Sequence, residues 1–103
     1  MKLINLTSHL INEVTTGTTI QPSGRVARVK QSTYKVAEHA GVPVYATKFN
    51  GVEGIPEPQP DTIYIVSALV LNATNRKDVV APGNVQRNQN GDRIGCVGFR
   101  QNI

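Results

Sequence analysis

The stretch Thr62-Ile63-Tyr64-Ile65-Val66 decides the fold, because every residue in it is β-branched or aromatic and it is entered directly from prolines. It reads as a buried strand at the centre of a sheet. Upstream, Pro56, Pro58 and Pro60 alternate within a loop spanning residues 50–61. Prolines donate no ladder hydrogen bonds and stiffen an extended chain, so this is a rigid connector rather than a recognition motif for another domain. Downstream, Ser67 is placed to cap a short helix over residues 68–73.

Further out, Asn75-Arg76-Lys77-Asp78 is a polar loop and Ala81-Pro82-Gly83-Asn84 reads as a turn. Asn88-Gln89-Asn90-Gly91 joins two strand-like segments, and Asn-Gly between such segments is the strongest hairpin signal in the chain. Toward the N-terminus, residues 2–6 and 10–14 are short strand candidates, separated from Thr18-Thr19-Ile20 by the turn Thr15-Thr16-Gly17. Pro22-Ser23-Gly24, followed by alternation through residues 25–29, predicts a further hairpin. Residues 34–40 suit two helical turns, whereas 42–49 have β composition, with Pro43 marking an edge strand or a strand start. The expectation is a single domain over residues 1–103, mostly β, as a small barrel or sandwich of hairpins with at most one or two short helices.

With 39% apolar residues, 5% aromatic and no Trp, the core must come from Val, Ile, Leu and Ala. A core that thin gains from association, so a homo-oligomer is expected. No apolar run approaches the roughly 18 residues of a membrane span, and polar Asn5 and Thr7 interrupt any signal-peptide core. The single cysteine, Cys96, excludes an intrachain disulfide; it fits a reducing cytoplasm and a buried strand position.

The formal charge of +4 favours an anionic partner. The basic residues are scattered and the aromatics few, which argues against extended nucleic acid. Neither His9 nor His39 has metal-ligand neighbours, no phosphate-loop or nucleophile-elbow motif occurs, and the seven acidic residues are dispersed. No catalytic set, metal or cofactor is therefore assigned. Binding-competent polarity follows the central strand instead, at Ser67, Asn75, Arg76, Asp78, Asn84 and Arg87, with Arg28 and His9 added from the N-terminal half. Arginine offers a planar fork for phosphate, Asn and Asp can read ribose or base edges, and Gly83 lets a backbone amide approach an anion. The competing reading is that these residues are simply good turn formers.

Taken together, Asn5-Leu6-Thr7-Ser8-His9, Pro22-Ser23-Gly24 with Val26-Ala27-Arg28-Val29, Ile63-Tyr64-Ile65-Val66-Ser67, Arg76-Lys77-Asp78 with Ala81-Pro82-Gly83, and Gly91-Asp92-Arg93-Ile94-Gly95-Cys96 resemble a family of small phage, prophage and bacterial proteins. Ser8 stands where the family pattern has proline. The resemblance implies a phage-type setting inside a bacterial host cell. By analogy with other small basic phage proteins, it also implies sequestration of a small anionic nucleotide signal of bacterial immunity, of the cyclic ADP-ribose or cyclic-dinucleotide type. The alternatives are a phage structural or protein-interaction module, and a hydrolase of the same messengers with His9 as base.

Overall fold

The computed structural model describes residues 1–102. Its strands are β1 (Lys2–Asn5), β2 (Ile11–Glu13), β3 (Thr18–Ile20), β4 (Arg28–His39), β5 (Val42–Glu53), β6 (Thr62–Ile65), β7 (Val79–Arg87) and β8 (Arg93–Arg100), with one short helix, α1 (Ala68–Asn72). Six of the strands form one sheet in the order β1-β6-β7-β8-β2-β3, while β4 and β5 pair only with each other. The fold is mostly β and barrel-like.

β6 is flanked by parallel partners, β1 on one side and β7 on the other. Parallel strands are covered on both faces, which is why β6 carries almost no polar alternation. The side chains of β6 and of Val66, which follows it, divide between two cores. Tyr64 and Val66 pack with Leu6, Val70, Leu71 and Val79, whereas Ile65 packs with Ile11, Ile20, Val80 and Cys96. The first core is roofed by α1, whose N-cap Ser67 accepts a hydrogen bond from the Val70 amide at 3.3 Å. The other end of α1 is held by Asn102, whose side-chain amide donates to the carbonyls of Leu71 and Thr74.

The six-stranded sheet curls until its edges meet. Asn5, at the end of β1, bridges to Pro22 just beyond β3, and the Ser23 amide donates to the Asn5 carbonyl at 2.9 Å. Two glycines permit the tight crossings on β8. A Cβ at Gly95 would lie 2.3 Å from the Asn12 carbonyl oxygen of β2, and one at Gly83 would lie 2.1 Å from the Val97 oxygen.

Four expectations need correction, the first being the loop over residues 50–61, whose residues 50–53 are the end of β5, with Val52 and Glu53 paired to Val29 and Arg28. Residues 25–29 do not pair with β3: the β3 hairpin is made with β2 across Thr15-Thr16-Gly17, and the Pro22-Ser23-Gly24 turn serves barrel closure. Residues 34–39 are strand, because Ala40 (φ 50°) and Gly41 (φ 80°) form a two-residue turn that sends the chain straight back along β5. Residues 81–84 lie inside β7, where Pro82 and Asn84 sit opposite Phe99 and Val97. The Asn88–Gly91 hairpin forms as its sequence predicts, with Gly91 at φ 83°. Among the described residues, no helix is long and apolar enough to cross a membrane.

Candidate functional site

The site begins with a buried asparagine. Asn5 is 1% exposed and uses its whole carboxamide. Its nitrogen donates to the carbonyls of His9 (2.8 Å) and Ile20 (3.1 Å), and its oxygen accepts from the amide (2.9 Å) and hydroxyl (2.6 Å) of Thr7. A carboxamide offers two donors and two acceptor sites, so Asn5 is saturated. The loop Thr7-Ser8-His9 is thereby tied to the barrel wall through the Asn5 carboxamide, the Thr7 amide and hydroxyl and the His9 main-chain carbonyl. Asn5 was not among the expected site residues. A lone polar residue within Leu3-Ile4-Asn5-Leu6, followed two positions later by a threonine, is the signal that marks it.

Two hollows adjoin this loop. The first, about 550 Å³, runs between the loop, the N-terminus of α1 and the β7–β8 face, and Asn84, Arg93 and Arg100 line it. The second, about 560 Å³, lies between the loop, α1 and the start of β4, with Arg28 on its wall. Thr7, His9 and Ser67 belong to both. No carboxylate lines either hollow, and Arg28, Arg93 and Arg100 form no ion pair among the described residues. The first hollow also has an apolar wall of Leu10, Ile11 and Val85.

The structure thus gathers His9, Ser67, Asn84 and Arg28 around one loop. Arg76 and Asp78 are directed at each other instead. Nε of Arg76 donates to Oδ1 of Asp78 at 3.0 Å and Nη2 to Oδ2 at 2.7 Å, while the guanidinium sits 5.7 Å from the centroid of the Tyr64 ring. This forked hydrogen bond pushes the Arg76 pKa up and holds the Asp78 carboxyl below its usual range, with partial burial opposing both. Neither residue lines a hollow. Arg87 donates to the Gly91 carbonyl at 2.9 Å and closes the β7–β8 turn, and Asn75 lies exposed in the preceding loop. Gly83 lines the first hollow, but its missing Cβ is required by the Val97 carbonyl.

Arg93 and Arg100 escaped the expected set because simple alternation along β8 does not put them on one site. The ladder shifts register between Gln86 and Arg87, and Gly98 takes φ 64°, so the strand is bent between the two arginines.

Glu13 is a buried carboxylate beside the site. It accepts from the Gly98 amide (2.7 Å), the hydroxyls of Thr15 (2.7 Å) and Thr16 (2.8 Å), and the amides of Thr15 (3.1 Å) and Thr16 (2.9 Å). These donors, with Gly98 foremost, hold its pKa far below the ordinary glutamate range. Glu13 fastens the β2–β3 turn to β8. Cys96, its parallel partner in β8, is buried in the second core and reaches the wall of the first hollow.

The chain matches no protein-family model, no curated protein and no solved structure.

Proposed function

We propose that the protein binds a small anionic nucleotide messenger in the paired hollows around Thr7-Ser8-His9 and sequesters it unchanged. One observation carries the reading: adjoining hollows that share Thr7, His9 and Ser67 are rimmed by Arg28, Arg93 and Arg100 and by no carboxylate. Arginine forks suit phosphate oxygens, and the nearby Glu13 carboxylate is turned away onto the Gly98 amide and the Thr15 and Thr16 donors rather than onto them. A volume of about 550 Å³ lies within the roughly 300–1,000 Å³ range of small-ligand sites. The wall of Leu10, Ile11 and Val85 offers apolar contact to a base, and Asn84 offers a carboxamide to a ribose or base edge.

Two hollows joined at one loop suit a messenger with two nucleoside-sized units linked by phosphates, as in cyclic dinucleotides and cyclic ADP-ribose-type molecules. Sequestration is favoured over hydrolysis because no carboxylate stands beside His9 to orient it as a base. The setting proposed is a bacterial cytoplasm in which a phage-type protein removes an immune signal.

Calorimetry against a panel of such messengers tests the reading. At least one should bind with sub-micromolar Kd, stronger than about −8 kcal/mol. Arg93→Ala or Arg100→Ala should weaken that messenger more than about tenfold, the scale of a lost charge-assisted hydrogen bond. Failure of every messenger to bind the folded protein at micromolar concentration would remove the proposal.

A further inference from the structure

The chain holds two Asn-Gly pairs, Asn50-Gly51 and Asn90-Gly91, and the fold gives them different surroundings. Such a pair carries an electrophile and a nucleophile side by side. These are the asparagine carboxamide carbon and the next backbone nitrogen, which in glycine has no Cβ beside it to crowd the approach. Proximity of this kind makes the reaction intramolecular, so its rate rests on whether the fold leaves the two groups free to meet.

At Asn90 they are free. The residue sits at the exposed tip of the β7–β8 hairpin, and its carboxamide makes no hydrogen bond among the described residues. A Cβ built on Gly91 would meet nothing within 4 Å, so a ring closing there has open space around it. The Gly91 nitrogen is held by one turn bond, to the Asn88 carbonyl at 3.0 Å. An exposed bond at a hairpin tip opens at little cost. Asn50 is placed otherwise. It lies in the long two-stranded arm made by β4 and β5, close to Val52, which packs on the first core. Its Nδ2 donates across the ladder to Ser32 Oγ at 3.3 Å, so its carboxamide is committed to β4 rather than to Gly51.

We propose that Asn90 is a site of spontaneous deamidation, at which the chain modifies its own hairpin tip. The Gly91 nitrogen attacks Cγ of Asn90 and closes a succinimide ring. The Cγ–Nδ2 bond breaks, and the Gly91 amide proton leaves with Nδ2 as ammonia. Water then adds to either ring carbonyl and cuts its bond to the Gly91 nitrogen, giving aspartate when Cγ is released and isoaspartate when the main-chain carbon is released. Nothing is oxidised or reduced. The new carboxylate lowers the formal charge of +4 by one and stands in sequence beside Asp92, between Arg87 and Arg93. Isoaspartate also inserts a methylene into the main chain. That displaces the Gly91 nitrogen from the Asn88 carbonyl and the Gly91 carbonyl from the Arg87 guanidinium, and loosens the turn that leads into β8.

The test needs no ligand and stands or falls separately from the nucleotide proposal. The folded full chain is incubated at physiological temperature and mildly alkaline pH, where the glycine amide loses its proton more readily, and samples are digested and mapped by mass spectrometry. Residue 90 should convert to aspartate and isoaspartate at least about fivefold faster than residue 50. Acidic forms of the intact chain should accumulate in step. In denaturant the two pairs should convert at similar rates, which assigns the difference to the fold. Asn90→Ser should abolish the early acidic forms and Asn50→Ser should leave them. A folded parent in which Asn90 persists while both pairs convert in denaturant overturns the proposal; so does conversion of folded residue 50 as fast as residue 90. Mapping the parent decides the matter even if a variant fails to fold.

Discussion

At the scale of single residues, the same side-chain chemistry has been put to two uses. Arg76 is the residue the sequence makes most attractive for phosphate, since it follows the best strand and carries a planar fork. The fold gives that fork to Asp78 and lays it over Tyr64. Both partners are more than two-thirds covered, so screening removes part of the gain but not all of it. Arg76→Ala should cost about 1–2 kcal/mol in urea unfolding and leave messenger affinity within about twofold. Unchanged stability with lost binding would return Arg76 to the site. Glu13 gives a second prediction at this scale. Its folded pKa is depressed, so its stabilisation is complete above the ordinary glutamate value, about 4.3, and is lost as pH falls through the folded value. Unfolding free energy should therefore drop on acidification below pH ~4.3, and Glu13→Gln should be less stable at neutral pH with a flatter acid limb. A parent whose stability is level down to pH ~2 would contradict the role given to Glu13.

At the scale of elements, legibility followed the range of the interaction that fixes each one. β6, the Ser67 cap and the Asn88–Gly91 hairpin depend on neighbours within a few positions, and their residues announce them. The arm does not, because Ala40-Gly41 is a weak turn signal and Tyr34-Lys35-Val36-Ala37 suits a helix until β5 pairs with it. Barrel closure is least legible of all, resting on Asn5 reaching Pro22 across the whole sheet. The candidate site was half visible for the same reason. His9 and Ser67 stand out locally, whereas Arg93 and Arg100 meet only through the irregularities of β8. Close strand crossing makes its own prediction. Gly95→Ala drives a Cβ into the Asn12 carbonyl and the Val14 side chain, and it should cost about 1–3 kcal/mol in chemical denaturation. A neutral Gly95→Ala would mean that β2 and β8 tolerate a looser crossing.

At the scale of the whole molecule, a nearly closed barrel fixes a short loop, and that loop joins two basic hollows. The net charge of +4 favours anions at the surface generally, and in the proposal the hollows around Thr7-Ser8-His9, which no carboxylate among the described residues lines, are where that attraction acts. Sequestration and hydrolysis both begin with the same binding event, so affinity alone does not separate them. The most direct measurement is to saturate the protein with its tightest messenger, remove free ligand, denature the complex by heat, and identify the released molecule by chromatography. The account predicts intact messenger in amounts stoichiometric with the protein, unchanged after prolonged incubation. Release of a cleaved or altered nucleotide would contradict it.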